Sequence, residues 1–151
     1  MNNNNLQWKC LPFDNLTAHE LYAILQLRNE VFVVEQHCVF QDADNKDQFC
    51  HHHAGWYTDK LVAYSRLVPA GIIYDEASIG RVVTSPRVRK SGVGHDLMEH
   101  SINWIYSHWG KQKIKIGAQL YLQKFYESIG FQQCSEMYLE DNIKHILMIT
   151  N

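Results

Sequence analysis

Apolar and polar residues alternate over Leu6–Leu11, which predicts a short first strand. Thr17-Ala-His-Glu20 then has the form of a capping box, a hydroxyl to cap and a glutamate three residues on to reach back. Leu21, Ile24, Leu25, Leu27, Val31 and Phe32 follow at near-helical spacing and predict a helix from residue 18 into the low thirties. From Glu35 to Cys50 the chain is polar and acidic, a long loop with room for one helical turn. Loops of that length inside a compact domain tend to be functional, so this one is a candidate substrate wall.

His53–Tyr57 and Leu61–Val68 read as two strands of a hairpin turning at Thr58-Asp59-Lys60. Ala77–Thr84 is a further strand rich in β-branched residues, and Pro86 blocks its extension. Gly92–Trp109 carries Val93, Leu97, Met98, Ser101, Trp104 and Ile105 on one helical face, with Gly110 at its C-cap. Lys113–Gly117 is a short strand, and Leu120–Ile129 a helix closed by Gly130. Phe131–Leu139 and His145–Thr150 are two last strands around a turn at Glu140-Asp141-Asn142.

The order is β-α-β-β-β-α-β-α-β-β. Ala77 to Gly117 forms a strand–helix–strand unit, which gives two parallel strands and a right-handed crossover. The flanking hairpins make the sheet mixed. The expected fold is α/β: a mixed sheet of six to seven strands with helices on both faces, in a single domain over residues 1–151. Met1–Asn5, a methionine and four asparagines, reads as a disordered leader.

Composition narrows the function. The chain is 46% hydrophobic and 20% charged, which excludes a mostly disordered chain. The net charge of −2 disfavours nucleic-acid binding through bulk positive charge. No apolar run approaches the ~20 residues of a membrane span. Without an export signal, Cys10, Cys38, Cys50 and Cys134 are expected to be reduced thiols in a cytoplasmic protein, and no C-x-x-C pair occurs. Cys10, Cys38 and Cys134 read as small buried hydrophobes.

The most informative stretch runs from Val82 to His95. A strand ends, a basic loop follows, and a helix begins with Gly92 and Gly94 one residue apart. Glycines let a ligand approach the backbone closely. The first amides of a helix lack intrahelical partners and carry the positive end of its dipole, so together they form an anion site. Arg89, with Arg87 and Lys90, adds charge suited to phosphate oxygens. The alternative is a tight turn beside a solvated basic face. The preceding strand, the following helix and the arginine three residues ahead of Gly92 favour phosphate binding. No Gly-Lys-Ser/Thr triplet is present, which excludes a Walker-type loop, and no parallel α/β half precedes the unit as a dinucleotide fold requires.

Arg89-Lys90-Ser91-Gly92-Val93-Gly94 resembles the Q/R-x-x-G-x-G/A signature of the GCN5-related N-acetyltransferases (GNAT), between the fourth strand and the next helix. The resemblance implies the acyl-CoA N-acyltransferase fold, loop amides that hold the pyrophosphate of coenzyme A, and a preceding strand that pairs with the pantetheine arm. Val82, Val83, Thr84, Arg89, Lys90, Ser91, Gly92, Val93, Gly94 and His95 are the implied cofactor contacts. Many members carry glycine where this chain has Lys90. Gln119 through Phe131 resembles the family's N-x-x-A-x-x-L-Y-x-x-x-G-F, with Gln119 in the asparagine place as a further cofactor contact. Tyr126 falls on the tyrosine that protonates the departing thiolate, and a phenol with a pKa near ~10 can act as that acid. The alternative for Tyr126 is a core aromatic beside Ile129 and Phe131.

The likeness extends from residue 6 to the end within an ElaA-type subgroup. It includes Leu25–Arg28, Val31–Gln36, Asp42, Asp44, Asp47, His52–Trp56, Ile79–Val82, Glu140-Asp141 and His145. The subgroup usually has Asp-Gly-Ile-Pro-His near the end, where this chain has Asp141-Asn-Ile-Lys-His145, so a looser last turn is expected.

Acyl transfer to an amine requires the amine to be neutral, so a base or water chain must remove a proton. Glu35, His52 and His145 are the candidate bases. The acids Glu35, Asp42, Asp44 and Asp47 would favour a cationic acceptor. Backbone amides near Val83 can polarise the thioester carbonyl. Of two metal readings, the calcium loop is rejected and a structural zinc site is disfavoured. Asp42–Asp47 has lysine fifth and no glycine sixth for a calcium loop, and Cys50-His51-His52-His53 alternates faces on a strand. The reading is therefore an acetyl-CoA-dependent N-acetyltransferase, without a metal, acting on a primary amine of a small molecule or peptide. A homodimer is compatible with it. A non-catalytic acyl-CoA-binding module and a metal-dependent hydrolase on Cys50–His53 are the alternatives.

Overall fold

A computed structural model of the chain describes residues 5–151; the expected leader lies outside them except for Asn5. Among the described residues eight strands form two four-stranded sheets. The first has the order β1 (Gln7–Pro12), β2 (His51–Tyr57), β3 (Lys60–Val68), β4 (Ser78–Thr84), all antiparallel. In the second, β8 (Ile143–Thr150) pairs with β5 (Lys115–Gln119), β6 (Phe131–Gln133) and β7 (Tyr138–Glu140). One parallel bridge, Ala77 to Ile114, joins the sheets, and the Lys115 amide donates to the Ala77 carbonyl at 2.9 Å. The expected parallel pair is thus present, but only at its root. Beyond it β4 and β5 separate.

The Thr17 capping box is formed in both directions, Glu20 N–H to Thr17 Oγ1 at 3.1 Å and Thr17 N–H to Glu20 Oε1 at 3.0 Å. It starts α1 (Ala18–Arg28), which runs on as a π-helical turn over Asn29–Glu35. Ile24, Leu27 and Val31 pack on the sheet face that carries Tyr64 and Val83. On the opposite face α2 (Val93–Trp109) buries Leu97, Met98, Ser101 and Ile105. Met98 and Ile105 share a core with Leu67, Ile116, Ile146 and Phe131, so one apolar cluster spans both sheets.

Several boundaries differ from those the pattern predicts. Leu120–Leu122 is a 3₁₀ turn and only Gln123–Glu127 is helical, here α3. The strand expected over Phe131–Leu139 breaks in two where Ser135 Oγ accepts the amide of Leu147 on β8 at 2.8 Å, in place of a backbone carbonyl of its own segment. The last turn is a two-residue hairpin rather than a loose one. Asp141 and Asn142 both take left-handed φ, 50° and 62°, as a primed turn requires. Of the cysteines, all unpaired, Cys50 is the buried one; Cys134 is exposed and Cys10 and Cys38 half-buried, against the expectation for those three. Among the described residues no helix is long and apolar enough to cross a membrane.

The contact of β2 and β3 with α2 holds a buried histidine. Ser101 gives its hydroxyl proton to the Leu97 carbonyl, so it accepts from His53 Nδ1–H at 2.9 Å. Trp8 stacks on the ring at 5.2 Å. Burial, with His100 nearby, pushes His53 down to about 4. An unfolded histidine titrates near ~6.5, so between these values the unfolded chain binds more protons. This stability is complete above pH ~6.5 and is lost as pH falls towards ~4. Urea unfolding free energy is expected to drop by about 2–3 kcal/mol between about pH 7.5 and 4.5. His53→Gln should flatten that slope, leaving the part due to His51 and His52, whose pKa values burial also lowers; an unchanged slope would refute the assignment.

Candidate active site

The divergence of β4 from β5 opens a cleft of about 450 Å³. One wall is built from β4 and the acidic loop, the other from β5, β7, β8 and Tyr126. A bulge shapes the first wall. Tyr64 pairs with Val83 and Arg66 with Gly80, so Ser65 alone faces Arg81 and Val82. Arg81 takes φ 48°, a strained value for a side-chain-bearing residue. Strain of this kind collects where backbone groups must be re-aimed. On the second wall Gly117 is tightly bounded, since a Cβ there would lie 3.1 Å from Tyr138 Oη and 3.2 Å from Tyr74 Oη.

Tyr126 is 6% exposed and reaches the cleft from α3, held edge-on by Phe125 and Phe131. Burial raises its pKa. Its hydroxyl has no hydrogen-bond partner among the described residues. His145 lines the same cleft. Nδ1–H donates to the Ile143 carbonyl at 2.7 Å, so the neutral ring carries its lone pair on Nε2, which lies 3.5 Å from Glu140 Oε2. Gln119 also lines the cleft, and its amide reaches Gln36 Oε1 at 3.4 Å.

The other two candidate bases stand elsewhere. His52 donates from Nε2 to the Asp47 carbonyl at 2.8 Å and accepts the Tyr64 hydroxyl at Nδ1 at 2.7 Å. Both nitrogens are occupied and burial lowers its pKa, so His52 has no lone pair to offer an amine. Glu35 accepts from Arg89 Nη1 at 2.6 Å, away from the cleft lining.

The acidic loop is not an open negative field. Asp42, Asp44 and Asp47 are each bonded to arginine: Arg28 to Asp42 and Asp47, Arg66 to Asp44 and Asp47, Arg81 to Asp42 and Asp44. Arg28 and Arg66 are 0% and 1% exposed. Burial alone would raise the Asp44 carboxyl, but the bonds and charge of Arg66, with Arg81, hold it down to about 2. Three acids and three bases cancel. The expected attraction for a cationic acceptor is therefore removed. Sequence reasoning missed the arginines, although Arg66 inside the apolar run Leu61–Val68 signals a buried cation in need of a carboxylate.

The glycine loop follows the end of β4, outside the lining of the cleft. Val82 lines the cleft, Val83 is buried against Tyr64, and the Thr84 carbonyl accepts from Arg89 at 3.4 Å. A 3₁₀ turn, Pro86–Val88, plugs Val88 into the core beside Val93 and Leu97. Ser91 Oγ donates to the Val88 carbonyl. Lys90 takes φ 63°, the region glycine favours, so the lysine adopts the backbone that its position calls for. Gly92 at φ 86° is the N-cap of α2, and His95 is exposed on its first turn. A Cβ at Gly94 would meet Phe125 at an ordinary 3.8 Å. Internal packing therefore does not demand glycine there, where it costs ~0.5–1 kcal/mol of helix stability. Cys50–His53 does not gather a metal site; among the described residues only His95, Asp96 and Glu99, on one solvent-facing turn, have their ligand atoms together.

Comparison with known proteins agrees with this architecture. The acetyltransferase (GNAT) domain family matches residues 28–151. Protein ElaA of Escherichia coli strain K12 is 41% identical over 145 residues, 95% of each chain. The crystal structure of E. coli ElaA superposes with a TM-score of 0.91, covering 97% of this chain and 99% of that one at 40% identity. A Pseudomonas aeruginosa acyl-CoA N-acyltransferase is similar at a TM-score of 0.93 and 42% identity, with 97% and 99% covered. By family match, identity and fold, the chain belongs to the GNAT acetyltransferases.

Proposed function

We propose that the protein is an acetyl-CoA-dependent N-acetyltransferase that moves the acetyl group directly onto a primary amine of a small molecule or peptide. The observation that carries this reading is the parting of β4 from β5, which leaves an unpaired strand edge beside Tyr126 and His145. An extended amide-bearing arm pairs with such an edge as an added strand would. β4 is seven residues long, about 20 Å at ~3.3 Å per residue, and leads from the cleft to the glycine loop. There the diphosphate meets the amides of Gly92, Val93 and Gly94 and the charge of Arg89, with Lys90, Ser91 and His95 around them. Val82, Val83, Thr84 and Gln119 contact the arm.

In the reaction the amine nitrogen attacks the thioester carbonyl, the carbon–sulfur bond breaks, and the amine proton must leave. His145 Nε2 takes that proton, directly or through water. Amides at the Arg81–Val82 bulge and near Val83 stabilise the carbonyl oxygen as charge develops. Tyr126 faces the departing sulfur. Its raised pKa keeps the hydroxyl protonated, and a thiol near ~8.5 is the stronger acid. Tyr126 therefore stabilises the thiolate by donating a hydrogen bond rather than by complete proton transfer.

Tyr126→Phe keeps the packing against Phe125 and Phe131 and removes only the donor. The kcat for CoA-thiol release is expected to fall about 100-fold, with CoA affinity unchanged by calorimetry. Equal turnover would remove Tyr126 from the chemistry. An absence of thiol release from the wild type with every amine of a broad panel would leave only a CoA-binding module.

A further inference from the structure

With Arg28, Arg66 and Arg81 neutralised by three aspartates, Lys46 stands apart on the same wall of the cleft. Its side chain is half-buried there, and no carboxylate lies within ion-pair distance of it among the described residues. The neighbouring acids that could have paired with it are taken by arginines. The lining also carries carboxylates of its own, Asp141 and the Glu140 that lies beside His145. The same lining includes apolar side chains, among them Phe32, Phe40, Ile73 and Leu122.

We propose that Lys46 binds a carboxylate of the acceptor, so that the acceptor is a zwitterion: an amino acid with an apolar side chain. The carboxylate meets the Lys46 ammonium, the amine on the same α-carbon turns towards His145 and Tyr126, and the side chain packs on the apolar part of the lining. A polyamine fits worse, because its second cation would face Lys46 with no free acid nearby. The fate of the amine rests on the acetyltransferase reading; binding of the zwitterion does not.

The test titrates L-leucine, L-methionine and L-phenylalanine, and the carboxamide of each, into the full chain by calorimetry, with and without CoA. The amino acids are expected to bind at least about tenfold more tightly than their carboxamides. Lys46→Gln should lower them to the carboxamide level, and Lys46→Arg should keep the preference. In thiol-release assays the Lys46→Gln effect should fall on KM and leave kcat nearly unchanged, because the carboxylate takes no part in the reaction and is held equally in the ground and transition states. Equal affinity for acid and amide, indifference to Lys46→Gln, or no binding of any amino acid by CoA-competent protein would each overturn the assignment. Failure of the acetyltransferase reading looks different: the carboxylate preference persists while no probe releases thiol.

Discussion

Replacing Gly92 with glutamate is expected to weaken CoA binding at least about 100-fold while leaving the protein folded. Two effects add. Gly92 holds φ 86°, where a residue with a Cβ is strained by about 1–2 kcal/mol. The new carboxylate also sits at the positive end of a 17-residue helix, where it occupies the anion site itself. The dipole favours that charge, so part of the strain is offset and the helix survives. Diphosphate then meets a like charge in place of open amides. Calorimetry with CoA reads the loss, and thermal melting verifies the fold. Gly92→Ala separates the contributions, because it carries the strain without the charge and should bind CoA only modestly less well. Wild-type affinity in the glutamate variant would show that the diphosphate lies elsewhere.

The second large effect is expected at Asp47. Asp47→Ala should lower unfolding free energy by about 3–5 kcal/mol, a large share of the ~5–15 kcal/mol typical of a domain. Asp47 Oδ1 accepts from Arg28 at 2.8 Å and Arg66 at 2.9 Å, and both guanidinium groups are almost wholly buried. Removing the carboxylate leaves two buried cations sharing fewer counter-charges, and neither can shed its proton near neutral pH. The His52 bond is untouched, since it goes to the main-chain carbonyl of residue 47, which alanine keeps. The exposed Arg89–Glu35 pair is the contrast. Both of its side chains are about 40% exposed, and Glu35→Gln should cost no more than ~1 kcal/mol. Urea titration of both variants at neutral pH compares them. A loss below ~1 kcal/mol for Asp47→Ala would mean that solvent enters the network.

Much of the fold was legible in the chain because its signals are local. A capping box needs only Thr17 and Glu20, and both of its hydrogen bonds form. The buried face of α2 follows from spacing alone; Trp104, the one expected member left half-buried, lies beside His108 and Trp109. The glycine spacing likewise marked the start of α2, since left-handed φ at a helix N-cap is a property of a single residue. The broken strand after Phe131 was not legible, because it depends on Ser135 meeting the Leu147 amide twelve positions away.

The candidate site divides in the same way. By itself the sequence determined the order of elements, the helix that opens on Gly92 and the segment that carries Tyr126, all properties of neighbouring residues. Only the tertiary structure decided what the acids do and which base is available. Asp42, Asp44 and Asp47 read as an open negative field until Arg28, Arg66 and Arg81 arrive from α1, β3 and β4 to cancel them. His52 and His145 are the same residue type, yet one has both nitrogens bonded in the core and the other lines the cleft with only Nδ1 hydrogen-bonded and Nε2 beside Glu140. Charge and proton availability depend on distance in space, and loop closure sets those distances between residues far apart in the chain.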